Sequence, residues 1–260
     1  MGIRFVKPSD SSRHSQCRPY SAIAGVYDRI MDHVNYSSWA EYIAALFCRF
    51  HPGVRSVLEL SCGTGSLALL LSSRGYELTC MDISPEMLRK AAEKFGSAGI
   101  PMHFVAGSMT ALPFEALFDA VICIYDSINY LIEPADFKRA VREAASVTRG
   151  GGLFVFDVCT VKNSEMFFSE GTMFEVCGDL TYERICRYHS RTHIQENRFV
   201  ISSHGRILGT ECHRQRIYNL DEIGGMFRDS QFREIGRFDD MSFNPGTENS
   251  ERVHFVFRKG

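Results

Sequence analysis

Residues 56–157 alternate between short apolar runs and helical stripes, and this alternation restricts the chain to an α/β fold. Runs at 56–60, 78–81, 102–106, 118–124 and 153–157 have strand length and are bounded by glycines or polar turns. Between them, 66–73 reads as a helix closed by Gly75, and 85–96 follows Ser84 as N-cap with Pro85 in its first turn. Met87, Leu88, Ala91, Ala92 and Phe95 give that helix its buried stripe, and a further helix spans 134–147. The run 118–124 is apolar without interruption, as in a strand covered on both faces. Gly150, Gly151 and Gly152 break the pattern ahead of the strand at 153–157. Strands joined through helices pair in parallel, so the expected fold is a Rossmann-like, doubly wound, mostly parallel sheet.

Two helices are expected before this unit. Ile23, Tyr27, Ile30, Met31 and Val34 recur at helical spacing, and Trp39, Tyr42, Ile43, Leu46, Phe47 and Phe50 form a second face, opened by Ser38 and Glu41 as a capping box. After Asp157 the pattern changes. Stretches at 173–176, 180–188, 198–202 and 212–218 favour strands and predict an inserted antiparallel sheet. A helix at 221–229 and strands at 232–238 and 253–258 are expected to rejoin the first sheet. The resulting division is a flexible leader (1–19), an α/β domain with its amino-terminal helices (20–160), a β insertion (161–218) and a closing segment (219–260).

With 45% hydrophobic and 23% charged residues among 260, the chain has the composition of a folded protein. Lys and Arg total 29 against 31 acidic residues, so no net field draws it to nucleic acid or anionic membranes. No apolar stretch reaches the roughly 18 to 20 residues that span a bilayer. Arg4, Lys7, Arg13 and Arg18 are not followed by the apolar block of a signal peptide, and Val6 stands where a myristoylation signal has Ser or Thr. Nine cysteines without a C-x-x-C pair indicate reduced thiols and a cytoplasmic location, with no metal site.

The chemistry concentrates at Glu59, Leu60, Ser61, Cys62, Gly63, Thr64 and Gly65, between the first strand of this unit and its helix. Small residues there let a ligand approach the backbone, and the helix amino end favours negative or polar groups. Asp82 ends the next strand 17 residues beyond Gly65, where a carboxylate accepts both hydroxyls of a ribose; its other reading is a brace for the following helix. Gly63, Gly65 and Ala68 also satisfy the relaxed G-x-G-x-x-A form of nicotinamide and flavin folds. Glu59 separates the two: an acid inside the strand suits a ligand carrying an amine and repels a pyrophosphate.

These residues, with Ile83, Ser84, Pro85 and Met87, the 107–109 segment with Leu112 and Pro113, and Phe118 with Asp119, resemble the class I S-adenosylmethionine-dependent methyltransferases, in particular small-molecule members with a β insertion after the fifth strand. The resemblance runs from Tyr20 over nearly the whole chain. It implies that Glu59, Ser61, Gly63 and Gly65 hold the methionine end, Asp82 the ribose, and Ile83, Met87, Ser108 and Met109 the adenine. Tyr20, Tyr27 and Trp39 correspond to the family's lid, which touches the cofactor, so Tyr20 and Tyr27 are counted among the cofactor-binding residues, although an aromatic core is the other reading of Tyr27 and Trp39. Ser61 departs from a frequent glycine, and Ser108 from a frequent aspartate.

On the acceptor side, Asp126, Asn129 and Tyr130 follow the fourth strand, where they would orient or deprotonate an acceptor; loop and cap chemistry is the alternative. The Asn-Pro-Pro-Tyr motif of base-methylating enzymes is absent, so nucleic acid is not the expected substrate. His189, His193, His204 and His213 lie in the insertion as possible bases or as ordinary surface and packing residues. Cys62 reads as a packing residue. The expected activity is methyl transfer to nitrogen or oxygen of a small molecule, against two rivals: an NAD(P)-dependent oxidoreductase and a catalytically silent nucleoside-binding domain. Acceptor identity and oligomeric state stay open at this level.

Overall fold

The computed structural model describes residues 16–17 and 19–260. Residues 1–15 and 18 of the expected leader lie outside the described residues. In chain order the strands are β1 (Gln16–Cys17), β2 (Ser56–Leu60), β3 (Glu77–Asp82), β4 (His103–Ala106), β5 (Phe118–Cys123), β6 (Thr148–Cys159), β7 (Glu170–Cys177), β8 (Leu180–His189), β9 (Ile194–Ser203), β10 (Arg206–Arg216), β11 (Phe232–Asp239) and β12 (Arg252–Lys259). The helices are α1 (Tyr27–Ile30), α2 (Tyr36–Phe50), α3 (Ser66–Ser73), α4 (Pro85–Ala98), α5 (Pro134–Val147), α6 (Val161–Phe167) and α7 (Leu220–Met226).

The main sheet has the order β11-β12-β6-β5-β2-β3-β4. Strands β2 to β6 run parallel, and β12 and β11 add antiparallel at the edge. From β2 the chain steps outward to β3 and β4, then returns to the other side of β2 for β5 and β6. A crevice therefore opens beyond the carboxyl end of β2, where the winding reverses. Alternate side chains serve opposite faces. Val57 joins Leu46, Leu71 and Phe95 from α2, α3 and α4, whereas Leu58 joins Phe137 and Val141 of α5 and Ile223 of α7. In β6, Val155 and Phe156 divide the same way. Each such buried Leu or Phe contributes roughly 1.5–3 kcal/mol, which fixes the register of a strand that has both faces covered.

The second sheet, β1-β10-β9-β8-β7, is the antiparallel insertion, with β1 added in parallel beside Thr210 and Glu211. Ile201 of β9 reaches Met87 of α4 through Ile23 and Ala24, so the amino-terminal segment cements the insertion to the main unit.

Several local expectations are corrected. The helical spacing from Ile23 yields only the single turn α1, flanked by tight turns in which the amides of Val26, Asp32 and Val34 donate to the carbonyls of Ile23, Arg29 and Met31, while the amides of Tyr20, Ala22 and Ile23 donate to the Glu211 carboxylate. Helix α2 starts at Tyr36 and is capped by Asn35, whose side chain accepts from the Ser38 amide at 3.1 Å; Glu41 instead accepts from Ser37 Oγ. Strand β6 runs back through the three glycines to Thr148, and a Cβ on Gly152 would lie 2.8 Å from the Asp119 carbonyl oxygen. That close approach is what the glycine permits. Helix α6 was not foreseen; Thr160 Oγ1 caps it by accepting from the Asn163 amide. Among the described residues no helix is long and apolar enough to cross a membrane.

Candidate active site

After Leu60 the chain turns through three left-handed residues, Ser61 (φ 57°), Gly63 (φ 57°) and Gly65 (φ 74°). At Gly65 a Cβ would stand 3.0 Å from a ring carbon of Phe95 and 3.3 Å from the Ala91 methyl, so conformation and space both require glycine. Ser61 holds a backbone that glycine adopts more cheaply, which accounts physically for the family's preference there. Asp82 braces the turn: its Oδ2 accepts from the Gly63 amide and its Oδ1 from the Ser84 amide, each at 2.8 Å.

Beyond these strand ends lies a cavity of about 600 Å³, with Glu59 and Asp82 in its wall. Glu59 is 4% exposed and its Oε2 has no hydrogen-bond partner. Burial, and then the neighbouring Asp82, push its carboxyl up to about 8. Burial also raises Asp82, outweighing amide hydrogen bonds from Ser84, Gly63 and Ile83. A buried oxygen without a donor is costly, and an ammonium group supplies both the missing hydrogen bond and the compensating charge. The methionine end of S-adenosylmethionine meets that requirement, and a pyrophosphate does not. Each Asp82 oxygen, with one lone pair engaged by an amide, keeps another for a hydroxyl of a vicinal diol.

The cofactor-side candidates Ser61, Gly63, Ile83, Met87, Ser108 and Met109 line the same cavity, as do Tyr20, Tyr27 and Trp39, with Tyr20 and Tyr27 packed beside Met87; Gly65 stands behind the lining. Ser108 Oγ is engaged with Thr110, at 2.8 Å from its hydroxyl. Thr64 Oγ1 donates to Asp28 of α1 at 2.5 Å, and Lys94 pairs with the same carboxylate at 2.9 Å. The lid turn is thereby tied to the glycine loop. The Cys62 thiol is pushed well up by its hydrogen bond to Cys80 and by burial, which leaves it a packing group and not a nucleophile.

The acceptor-side candidates divide. Tyr130 lines the cavity; Asp126 and Asn129 do not. Asp126 is paired with Arg252 at 2.9 Å and accepts from Gln215 at 2.6 Å, while Arg252 also pairs with buried Asp157. Asp157 in turn accepts from the amides of Tyr125 and Asp126 at 2.6 and 2.9 Å and so holds two consecutive left-handed residues. The Arg252 guanidinium lies over the rings of Trp39 and Tyr125, at 5.5 and 5.0 Å. Asn129 is fully buried and donates to the Arg216 carbonyl. Both residues therefore brace the 125–130 loop. Of the four histidines only His213 connects to the cavity, through Tyr130 Oη at 2.8 Å from its Nδ1. Among the described residues no group of three His, Cys, Asp or Glu could hold a metal ion.

Sequence reasoning missed Arg252, Asp157 and Glu211. Only Glu211 left a signal: with His213 it forms a same-face polar pair in a strand.

A methyltransferase-domain family matches residues 57–152. A putative methyltransferase of Geobacillus sp. (strain WCH70) is 27% identical over 245 residues, 92% of this chain and 99% of that protein. A solved S-adenosylmethionine-dependent methyltransferase from Clostridium acetobutylicum superposes with a TM-score of 0.80 at 23% identity, covering 93% of this chain and 99% of that one. The sugar N-methyltransferase KedS8 from a Streptoalloteichus species shares the fold with a TM-score of 0.71 at 20% identity, covering 98% and 99%. With its reversed sheet order, glycine loop and paired buried carboxylates, the chain has the fold of the S-adenosylmethionine-dependent methyltransferases, and residues 57–152 carry a methyltransferase domain.

Proposed function

We propose that the protein transfers a methyl group to nitrogen or oxygen of a small-molecule acceptor. The observation that carries the site assignment is the unpartnered Oε2 of Glu59 in the cavity wall, with Asp82 at the end of the adjacent strand. Glu59 and the Ser61–Gly65 backbone hold the amino-acid end, Asp82 the ribose, and Ile83, Met87, Ser108 and Met109 surround the adenine. When bound, S-adenosylmethionine supplies an electrophilic methyl on a sulfonium. Tyr20, Tyr27, Tyr36, Trp39 and Tyr125 line the rest of the cavity, exclude water and fix the acceptor in line with the methyl. Positioning of this kind supplies roughly 7–11 kcal/mol of barrier reduction without a covalent enzyme intermediate. A small acceptor is supported by the cavity's modest volume, and nitrogen by likeness to a protein named as a sugar N-methyltransferase.

Titration calorimetry with S-adenosylhomocysteine and with NAD tests the cofactor side, and tight NAD binding without S-adenosylhomocysteine binding overturns it. A panel of amino sugars, small amines and alcohols, read by methyl incorporation, tests the acceptor side. Product formed only with a protein or nucleic acid overturns the small-molecule assignment.

A further inference from the structure

We propose that Tyr20, Tyr130, His213 and Glu211 form a proton-accepting relay that draws the acceptor's proton out of the cavity and into the inserted sheet, with His213 as the terminal base. The inference rests on the methyl-transfer reading above and adds the route by which the reaction loses its proton.

The four groups are linked in series. Tyr20 Oη lies 2.6 Å from Tyr130 Oη, Tyr130 Oη lies 2.8 Å from His213 Nδ1, and His213 Nε2 lies 2.8 Å from Glu211 Oε2. Tyr20 and Tyr130 line the cavity, whereas His213 and Glu211 are 2% and 0% exposed behind them. The direction of the chain follows from its buried end. Burial alone would raise the Glu211 carboxyl, but His213 and the amides of Ala22, Tyr20 and Ile23 outweigh it and hold the group below its ordinary value. An ionised Glu211 only accepts, so Nε2 donates to it, and the imidazole tautomer that this selects leaves Nδ1 as an acceptor. Tyr130 then donates to Nδ1, Tyr20 donates to Tyr130, and the lone pairs of Tyr20 at the cavity end await a donor. This polarity suits an acceptor with an N–H or O–H to give up.

For an amine, the nitrogen lone pair forms the bond to the methyl carbon while the carbon–sulfur bond breaks with its electron pair left on sulfur. The nitrogen becomes positive and passes a proton to Tyr20; the Tyr20 proton moves to Tyr130 and the Tyr130 proton to His213 Nδ1. One positive charge leaves sulfur and one appears on the imidazole, beside the Glu211 carboxylate. Phenol hydroxyls suit such a hop because each donates and accepts without ionising, and burial raises both Tyr20 and Tyr130 far out of the range in which they would hold a charge. Around the relay, Glu211 on β10 faces His213 directly, and the Phe199 ring of β9 packs on it at 4.7 Å. Tyr130 feels Asp126 and Tyr27, which raise it, and Arg184 of β8, which lowers it; Tyr20 feels Asp126 and Asp82.

The test uses the full chain labelled with 15N-histidine and saturated with S-adenosylhomocysteine at pH 7, with His213 assigned by loss of its signals in His213→Gln. A ring protonated at Nε2, whose Nδ1 resonance moves in Tyr130→Phe, is the expected result. A ring protonated at Nδ1, or one indifferent to Tyr130→Phe, overturns the relay. In methyl transfer to an amine found by the panel, His213→Gln should lower kcat by about 10²–10⁴-fold and remove the acid limb of its pH profile. Its affinity for S-adenosylhomocysteine should stay within about twofold of wild type, which shows that the variant is folded. Wild-type kcat and pH profile in His213→Gln overturn the relay while leaving the methyl-transfer reading standing. Loss of S-adenosylhomocysteine binding by the wild-type chain sinks that reading instead.

Discussion

Glu59→Gln separates a carboxylate that receives an ammonium from one that is merely buried. The Glu59 carboxyl sits at about 8 without a ligand, so at pH 7 it is about nine-tenths protonated. Pairing with the cofactor's ammonium requires the ionised form, so binding of S-adenosylhomocysteine at pH 7 should release about 0.9 proton. Calorimetry in buffers of different ionisation enthalpy counts that proton directly. Affinity should rise about tenfold per pH unit below pH 8 and then level off as the carboxyl no longer needs to ionise. In Glu59→Gln the released proton and the slope should both vanish. A charge-assisted contact of about 1.5–3 kcal/mol predicts roughly 10- to 150-fold weaker binding at pH 8, with the gap narrowing toward pH 6. A wild-type protein that releases no proton, or a glutamine variant with the wild-type pH slope, refutes the assignment of Glu59 to an amine.

The same residue makes a prediction for the ligand-free protein. Because the folded carboxyl lies above its unfolded value of 4.5, the folded state binds the extra proton, and stability is lost as pH rises from about 4.5 to about 8. Glu59→Gln should therefore raise Tm more at pH 8 than at pH 5, as read by differential scanning calorimetry; an equal rise at both denies the buried, raised carboxyl. Asp82→Ala should weaken S-adenosylhomocysteine by about 1.5–3 kcal/mol in the same titration, and unchanged affinity removes Asp82 from the ribose site. Arg252→Met leaves Asp126 and Asp157 buried without their cation and should cost about 3–5 kcal/mol in urea denaturation; a loss under 1 kcal/mol would mean the cluster does not hold the acceptor loop.

The parallel sheet and its crevice were legible because they rest on local signals. Continuous apolar runs gave the strands and period-3.6 stripes the helices of residues 56–157, and the glycines between strand and helix marked the loop. Most of the residues that line the cavity from these strand ends were legible for the same reason: Glu59, Ser61, Gly63, Asp82, Ile83, Ser108 and Met109 lie within three residues of a strand end. The acceptor side was not. Asp126 looked available from its neighbours, yet its occupation by Arg252 and Gln215 comes from residues far along the chain. The anchoring of the amino-terminal segment has the same origin: a carboxylate about 190 positions away accepts from the amides of Tyr20, Ala22 and Ile23. Long-range polar pairing leaves no periodicity to read, whereas burial of a face does.

The placement of β12 has a consequence for how this molecule reaches its native form. Although β12 follows β11 in the chain, it lies between β11 and β6, so the edge strand has nothing to join until its successor has been inserted. Arg252 opens that strand, and its partner Asp126 stands 126 positions earlier. Contacts of such sequence separation form late, since a long stretch of chain must be drawn closed before they can reward it. A ribosome-bound fragment ending before β12 would own the glycine loop, Glu59 and Asp82, but the loop at 125–126 would still lack the guanidinium that is its keystone.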